Sequence, residues 1–467
     1  MTGPGRSRSD SASASALAER TPLLLLPPRH HEQGTVINAL CIVIFIICCS
    51  GGFTQLPLTR LMEDILCHRY YGIEDFIDES MCKVDGVQKE LAYILAIKST
   101  LFAVVGCVAA FPWGVAADRV GRKPIIVLAV AGLLVSVLME MTVVYWHDVF
   151  PLTAVWAAAA GQAIGGGDAV LIAVISTMVT DATREEDRAM SFLRVHVSNL
   201  CGSLLSPSLS AIVMSRFGKN LWISPFIGLS LLVGGGIGFI FLPETIPPPP
   251  SSSSTSKKSK SSMRTYLTIL KSSPIFLLTL LCSMPVFYST LNFLNQFVSV
   301  RYHITIAQTG YVQSAYGIAS IFASLIVLPF ISKHLAPNSR DLFLARTSYL
   351  ALLLGSLTMS LAPSLVLFVL GLVLLALGSG AGSLTKSLMS SRVDADARTR
   401  LFSLASVVEV LGSVFAQPML AALFSLGLGL GNDDDDGGYE FWIGLPYFGI
   451  AVLVALAGGL LVFVKEG

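Results

Sequence analysis

An aspartate inside an apolar run is the residue of this chain best placed to do chemistry. Asp168 follows Gly165-Gly166-Gly167 near the middle of the run 152–180. A carboxylate at mid-bilayer costs about 2.5–3.5 kcal/mol on insertion scales, so a compensating role is expected. It can take up and release a proton, or contact a solute; the alternative is a polar contact to a Ser or Tyr of the bundle. Lys98 and Glu140 lie in the outer halves of consecutive runs and are expected to pair. Glu409 is a second candidate proton site or a partner of Arg400, and Lys386 is expected to snorkel toward the surface. Asn292, Asn295 and Gln296 are spaced i, i+3, i+4 and share one helix face. Such an amide face either hydrogen-bonds an organic solute or joins neighbouring helices. No metal-ligand cluster, phosphate-binding loop or nucleophile triad accompanies these groups. The expectation is a protein that is not an enzyme, with no metal or other cofactor and no nucleic-acid partner.

The elements that must position these groups are membrane helices. Hydrophobic residues make up 53 % of the chain and charged residues 13 %, against about 25 % charged in a soluble domain. Apolar runs at 36–58, 91–113, 125–146, 152–180, 190–214, 221–242, 274–298, 307–331, 342–361, 365–390, 401–428 and 441–464 can each cross a ~30 Å hydrocarbon core. In lipid they must be helices, because backbone hydrogen bonds have to be met within the segment. With the N-terminus inside, most of the 31 lysines and arginines fall on inside segments. That bias places both termini in the cytoplasm and Asp433–Asp436 outside.

The chain is internally duplicated. Gly165-Gly166-Gly167 leads to Asp181-Ala182, and Gly378-Ser379-Gly380 leads to Asp394-Ala395 at the same spacing. Phe111-Pro112-Trp113 and Leu328-Pro329-Phe330 close corresponding runs. Repeated apolar halves are the signature of a transporter whose site lies between them. The expected fold is an all-α membrane protein, with twelve transmembrane helices in two pseudo-symmetric six-helix bundles. The expected division is a disordered cytoplasmic tail at 1–33, bundles at 34–243 and 274–467, and a cytoplasmic linker at 244–273. That linker carries Pro247–Pro250, Ser251–Ser254 and Lys257, Lys258 and Lys260.

The loop after the second run reads Gly114-Val-Ala-Ala-Asp118-Arg119-Val-Gly121-Arg122-Lys123. Here the chain resembles the major facilitator superfamily, whose signature between helices 2 and 3 is G-x-x-x-D-R-x-G-R-[RK]. The resemblance implies the two-bundle fold, a cavity lined by helices 1, 4, 7 and 10, and a gate in which Arg122 pairs with Asp181. Independently of it, Gly114 and Gly121 permit close approach and a sharp turn. Asp118 favours a helix N-terminus, while Arg119, Arg122 and Lys123 also serve as inside signals. Gly202-Ser-Leu-Leu-Ser206-Pro207 is similar to a worn antiporter motif of drug–proton antiporters in that superfamily, and Pro207 kinks its helix. Arg60, Glu63 and Asp64 with Tyr70-Tyr71 resemble the first outer loop of a fungal branch.

Cys67 and Cys82 fall in the loop 59–90, where a disulfide between them is an expectation for an oxidising side. Glu19 to Leu24 matches an acidic dileucine sorting signal, which adds a vacuolar option to a plasma-membrane one. The expected function is alternating-access export of a small organic metabolite or drug-like compound. The driving force would be the proton gradient, and the protein would act as a monomer in the lipid bilayer. Nutrient uptake, facilitative passage, or a non-transporting receptor on the same scaffold are the alternatives.

Overall fold

The computed structural model describes residues 30–73, 75, 77–183, 185–217, 220–242, 274–333, 340–391, 395–433 and 439–462. The expectations for the dileucine signal and the linker lie outside these residues, as do those for the side chains of Asp118, Arg119, Asp181, Asn292 and Arg400.

Among the described residues every regular element is helical. The first bundle comprises α1 (His30–Tyr71), α2 (Asp85–Val120), α3 (Arg122–Tyr145), a 3-10 segment (Leu152–Ala163) continued by α4 (Gly167–Ala182), α5 (Glu185–Arg216) and α6 (Ile223–Phe241). The second comprises α7 (Pro274–Tyr288) and its continuation α8 (Leu294–Arg301), α9 (Ile306–Phe322) with α10 (Leu328–Lys333), and α11 (Arg340–Leu361). After these come α12 (Leu365–Leu377) with α13 (Ala381–Ser391), α14 (Ala395–Asp433), the short α15 (Tyr439–Ile443) and α16 (Leu445–Val462). Among the described residues nine helices are long and apolar enough to cross a bilayer, and Val170–Val179, Ile275–Val286 and Leu445–Leu461 are shorter apolar helices.

Burial follows the duplication. Phe297, Phe368, Leu372, Phe424 and Tyr447 share one core within the second half. Ile126, Ala129, Val179 and Phe239 share another within the first. Between halves, α5 packs against α9 and α2 against α14. These are one contact seen twice, because the duplication maps the second crossing onto the eighth and the fifth onto the eleventh.

Several expected spans are corrected. The first helix does not end at residue 58; it continues through Arg60, Glu63 and Cys67 to Tyr71, because those polar side chains find partners on the helix and on the turn beside it. The fourth crossing is not one helix. Gly165, Gly166 and Gly167 have φ of +72°, +80° and +54°, a left-handed run that glycine alone adopts readily. The tenth is also interrupted, at the repeat-related Gly378-Ser379-Gly380 between α12 and α13. A Cβ on Gly165 would overlap the backbone of Ala129 in α3, and one on Gly378 would stand 2.6 Å from the Ser348 carbonyl oxygen in α11. Each break thus lets its crossing abut the preceding one at backbone distance. The seventh and eighth crossings carry π turns at Ser289–Phe293 and Ala323–Val327.

Candidate functional site

A cavity of about 860 Å³ lies between the halves. Its polar lining includes Lys98 from α2, Gln162 and Asp168 from the fourth crossing, Asn295 and Gln296 from α8, and Gln417 from α14. The resemblance implied helices 1, 4, 7 and 10 as the lining. The first, fourth and seventh crossings do line it; α2 and α14 supply much of the rest, and the tenth crossing supplies no lining residue among those described.

Asp168 stands in the first turn of α4 rather than in mid-helix, because the glycine run restarts the helix there. The backbone N–H groups at a helix start give that turn positive character, which favours a carboxylate. Gln162 holds the turn, its Oε1 accepting from the Asp168 N–H at 3.3 Å. Trp113 Nε1 donates to the Ala163 carbonyl at 2.8 Å and ties α2 to the same place. The Asp168 side chain is exposed to the cavity, and among the described residues no cation stands within ion-pair distance of it.

Lys98 and Glu140 are joined, Nζ to Oε1, at 2.6 Å. Lys98 faces the cavity as half of a neutral pair. Lys386 does not snorkel away: it meets Glu409 at 2.7 Å, because both stand near the inner end of adjacent crossings where neither is fully dehydrated. Asn295 donates to Gln313 Oε1 at 3.0 Å, and Gln296 donates to the Gln88 carbonyl of the other half at 2.9 Å. The amide face therefore serves both as glue and as cavity wall.

The two faces of the molecule differ. Cys67 and Cys82 are joined by a disulfide, which marks one face. On that side Glu79 accepts from the Ile306 N–H at 2.6 Å and Gln296 meets Gln88, so the halves touch. Deeper, Ser208 N donates to Ser314 Oγ at 3.2 Å, next to Pro207, which lies inside α5. Toward the opposite face, Val108 and Phe111 of α2 are 73 % and 81 % exposed, and Phe111 lines the cavity. The cavity is shut at the disulfide face and opens at the other.

The loop motif sits on the open face. Gly121, at φ +119°, is the single residue between α2 and α3, a turn that requires glycine. Arg122 Nη1 donates to the Thr177 carbonyl in α4 at 2.8 Å, one turn before Asp181. Lys123 is half-buried beside it. A side chain on Gly114 would meet open space, so the close approach expected there is not made.

Gln55 and Thr59, and Ser413 and Gln417, also line the cavity and were not anticipated. Each pair is spaced i, i+4 within an apolar helix, the same signal that singled out Asn292 and Gln296. Glu79 was missed as well, because its role depends on contacts remote in sequence.

Residues 90–417 match the sequence profile of the Major Facilitator Superfamily. An MFS-type transporter, aprT, of Aspergillus flavus is 29 % identical over 454 residues, covering 92 % of this chain and 88 % of that protein. The MFS efflux pump atnC of Emericella nidulans is 27 % identical, covering 97 % and 94 %. Among solved structures, a D-xylose–proton symporter shares the fold with a TM-score of 0.66 at 12 % identity, covering 92 % of this chain and 98 % of that one. The nucleoside transporter NupG (D323A mutant) does so at 0.64 and 14 %, covering 92 % and 100 %.

Proposed function

Because this chain belongs to the Major Facilitator Superfamily, and is therefore a multi-pass membrane transporter rather than an enzyme, we propose that it exports a small organic molecule by alternating access in exchange for protons. The observation that carries the reading is Asp168, a carboxylate exposed to the central cavity with no cation beside it among the described residues. A group so placed can hold a proton or a solute in turn, which is what coupling by exchange requires. Relatives named efflux pumps support the outward direction. In this reading the disulfide face is the outer or vacuolar side, both termini are cytoplasmic, the conformation is inward-open, and a monomer suffices. The bundles extend over 34–243 and 274–467.

The test is a thermal-shift screen of purified protein against organic solutes, followed by flux of the hits in proteoliposomes with and without a pH gradient. Asp168→Asn keeps the shape and removes the titration. We expect it to abolish pH-driven accumulation while exchange without a gradient persists; unaltered pH-driven accumulation would overturn the coupling role.

A further inference from the structure

Five polar side chains form a network at the disulfide face of the first half, and Asp64 joins it by meeting Arg60 at 3.4 Å. Glu63, 1 % exposed, accepts from Lys83 at 2.7 Å, from Gln88 Nε2 at 2.6 Å and from Arg60 at 3.4 Å. Glu79 meets Arg60 Nε at 3.1 Å and Lys83 at 3.2 Å. The Cys67–Cys82 disulfide pins the 3-10 turn Glu79–Lys83 to the end of α1, so the network is a rigid body built on α1. Its charges are paired with one another, and nothing in the second half is needed to keep them satisfied.

Glu79 reaches across all the same. Its Oε1 accepts from the backbone N–H of Ile306, the first residue of α9, at 2.6 Å. Thr305 and Gln308 already form a capping box at that terminus. Glu79 therefore takes a remaining donor, at the end of the helix where a carboxylate is favoured. Beside it, Gln88 presents its carbonyl to Gln296.

We propose that Glu79 is the outer latch of the transport cycle: a carboxylate held by a disulfide-pinned network of the first half, which caps α9 of the second half only while the outer side is shut. On opening, Glu79 keeps Arg60 and Lys83 and gives up one charge-assisted hydrogen bond, and Ile306 N–H passes to water. No buried charge is orphaned at any stage, so the latch can release without dismantling the network that carries it. The inference rests on the alternating-access reading but not on coupling or substrate.

Gln55 is exposed and lines the cavity in the outer half of the first crossing, outside the network, so Gln55→Cys supplies a reporter of outer opening that needs no substrate. The measurement is the rate at which a membrane-impermeant maleimide, added at the disulfide face, modifies that thiol as read by peptide mass. Proline is well accommodated at the first position of a helix, and Thr305 already has the extended backbone that precedes proline, at φ −67°, ψ 148°. Ile306→Pro therefore deletes the donor and leaves the network untouched, while Ile306→Ala trims the side chain and keeps the donor. We expect Ile306→Pro to raise labelling about tenfold, the order set by one charge-assisted hydrogen bond, and Glu79→Gln, which keeps an acceptor oxygen but loses its charge, to raise it by a smaller factor. The double variant should label no faster than Ile306→Pro, because the amide oxygen then finds no donor at 306; Ile306→Ala should stay close to the native rate. Equal labelling in Ile306→Pro and Ile306→Ala would overturn the latch. Should Ile306→Pro fail to fold, Glu79→Gln decides alone, and a native rate there overturns it. Labelling does not require transport, so loss of flux with an intact latch is a separate outcome.

Discussion

Lys98 Nζ and Glu140 Oε1 stand 2.6 Å apart with both residues nearly buried, at 6 % and 4 % exposure. Removing one partner strands the other's charge in a low-dielectric bundle, which costs about 3–5 kcal/mol, whereas replacing both by apolar groups is often neutral. Lys98→Met or Glu140→Leu alone should lower thermal stability sharply in detergent, and the double variant should recover most of the loss. A double variant as unstable as the sum of the singles would show that the two groups do not act as a pair.

Arg122 ties the turn between α2 and α3 to the Thr177 carbonyl at 2.8 Å. A hydrogen bond from a charged donor is worth about 1.5–3 kcal/mol. Arg122→Ala should reduce flux about tenfold or more at equal expression while membrane insertion is unchanged. Native flux in both Arg122→Ala and Asp181→Ala would remove the gating role of this loop.

Gly165 and Gly114 separate two uses of glycine. Alanine at 165 would have to hold φ near +72° and overlap Ala129; the left-handed backbone alone costs about 1–2 kcal/mol, and the overlap adds to it. Alanine at 114 meets empty space inside a helix, where it should be neutral or gain up to about 1 kcal/mol. Melting of the two variants should therefore shift in opposite directions, or at 165 alone. A melting temperature for Gly165→Ala equal to native would mean that the break in the fourth crossing is not set by backbone sterics.

Much of the fold was legible because a bilayer leaves few options. Apolar length and the two-fold repetition of Gly165 to Ala182 in Gly378 to Ala395 point to twelve helices in two bundles before any contact is known. Asp168, Lys98 and Glu140 were equally visible, since an ionisable group in lipid always needs a reason. What was hidden lies where helices meet. The interruptions at Gly165 and Gly378 read as helix because their flanks are apolar, and glycine in a membrane helix is common. The pairing of Lys386 with Glu409 depends on which crossings are neighbours. The role of Glu79 depends on a backbone amide 227 residues away, and a donor that every residue but proline carries leaves no mark in a sequence.

Where α5 meets α9 the contact is backbone against backbone. A Cβ on Gly310 would stand 2.6 Å from the Pro207 carbonyl oxygen, and one on Gly317 would run into Leu204. These glycines lie seven residues apart on one stripe of α9, with little side chain between the two rods. Neither α5 nor α9 lends a described residue to the cavity wall, whereas α2 and α14 lend many. The halves are thus joined by two seams of different character. The seam along α5 and α9 is closed to the cavity, whereas the seam along α2 and α14 doubles as its wall. A shift of one half against the other therefore reshapes the surroundings of Lys98 and Gln417 directly.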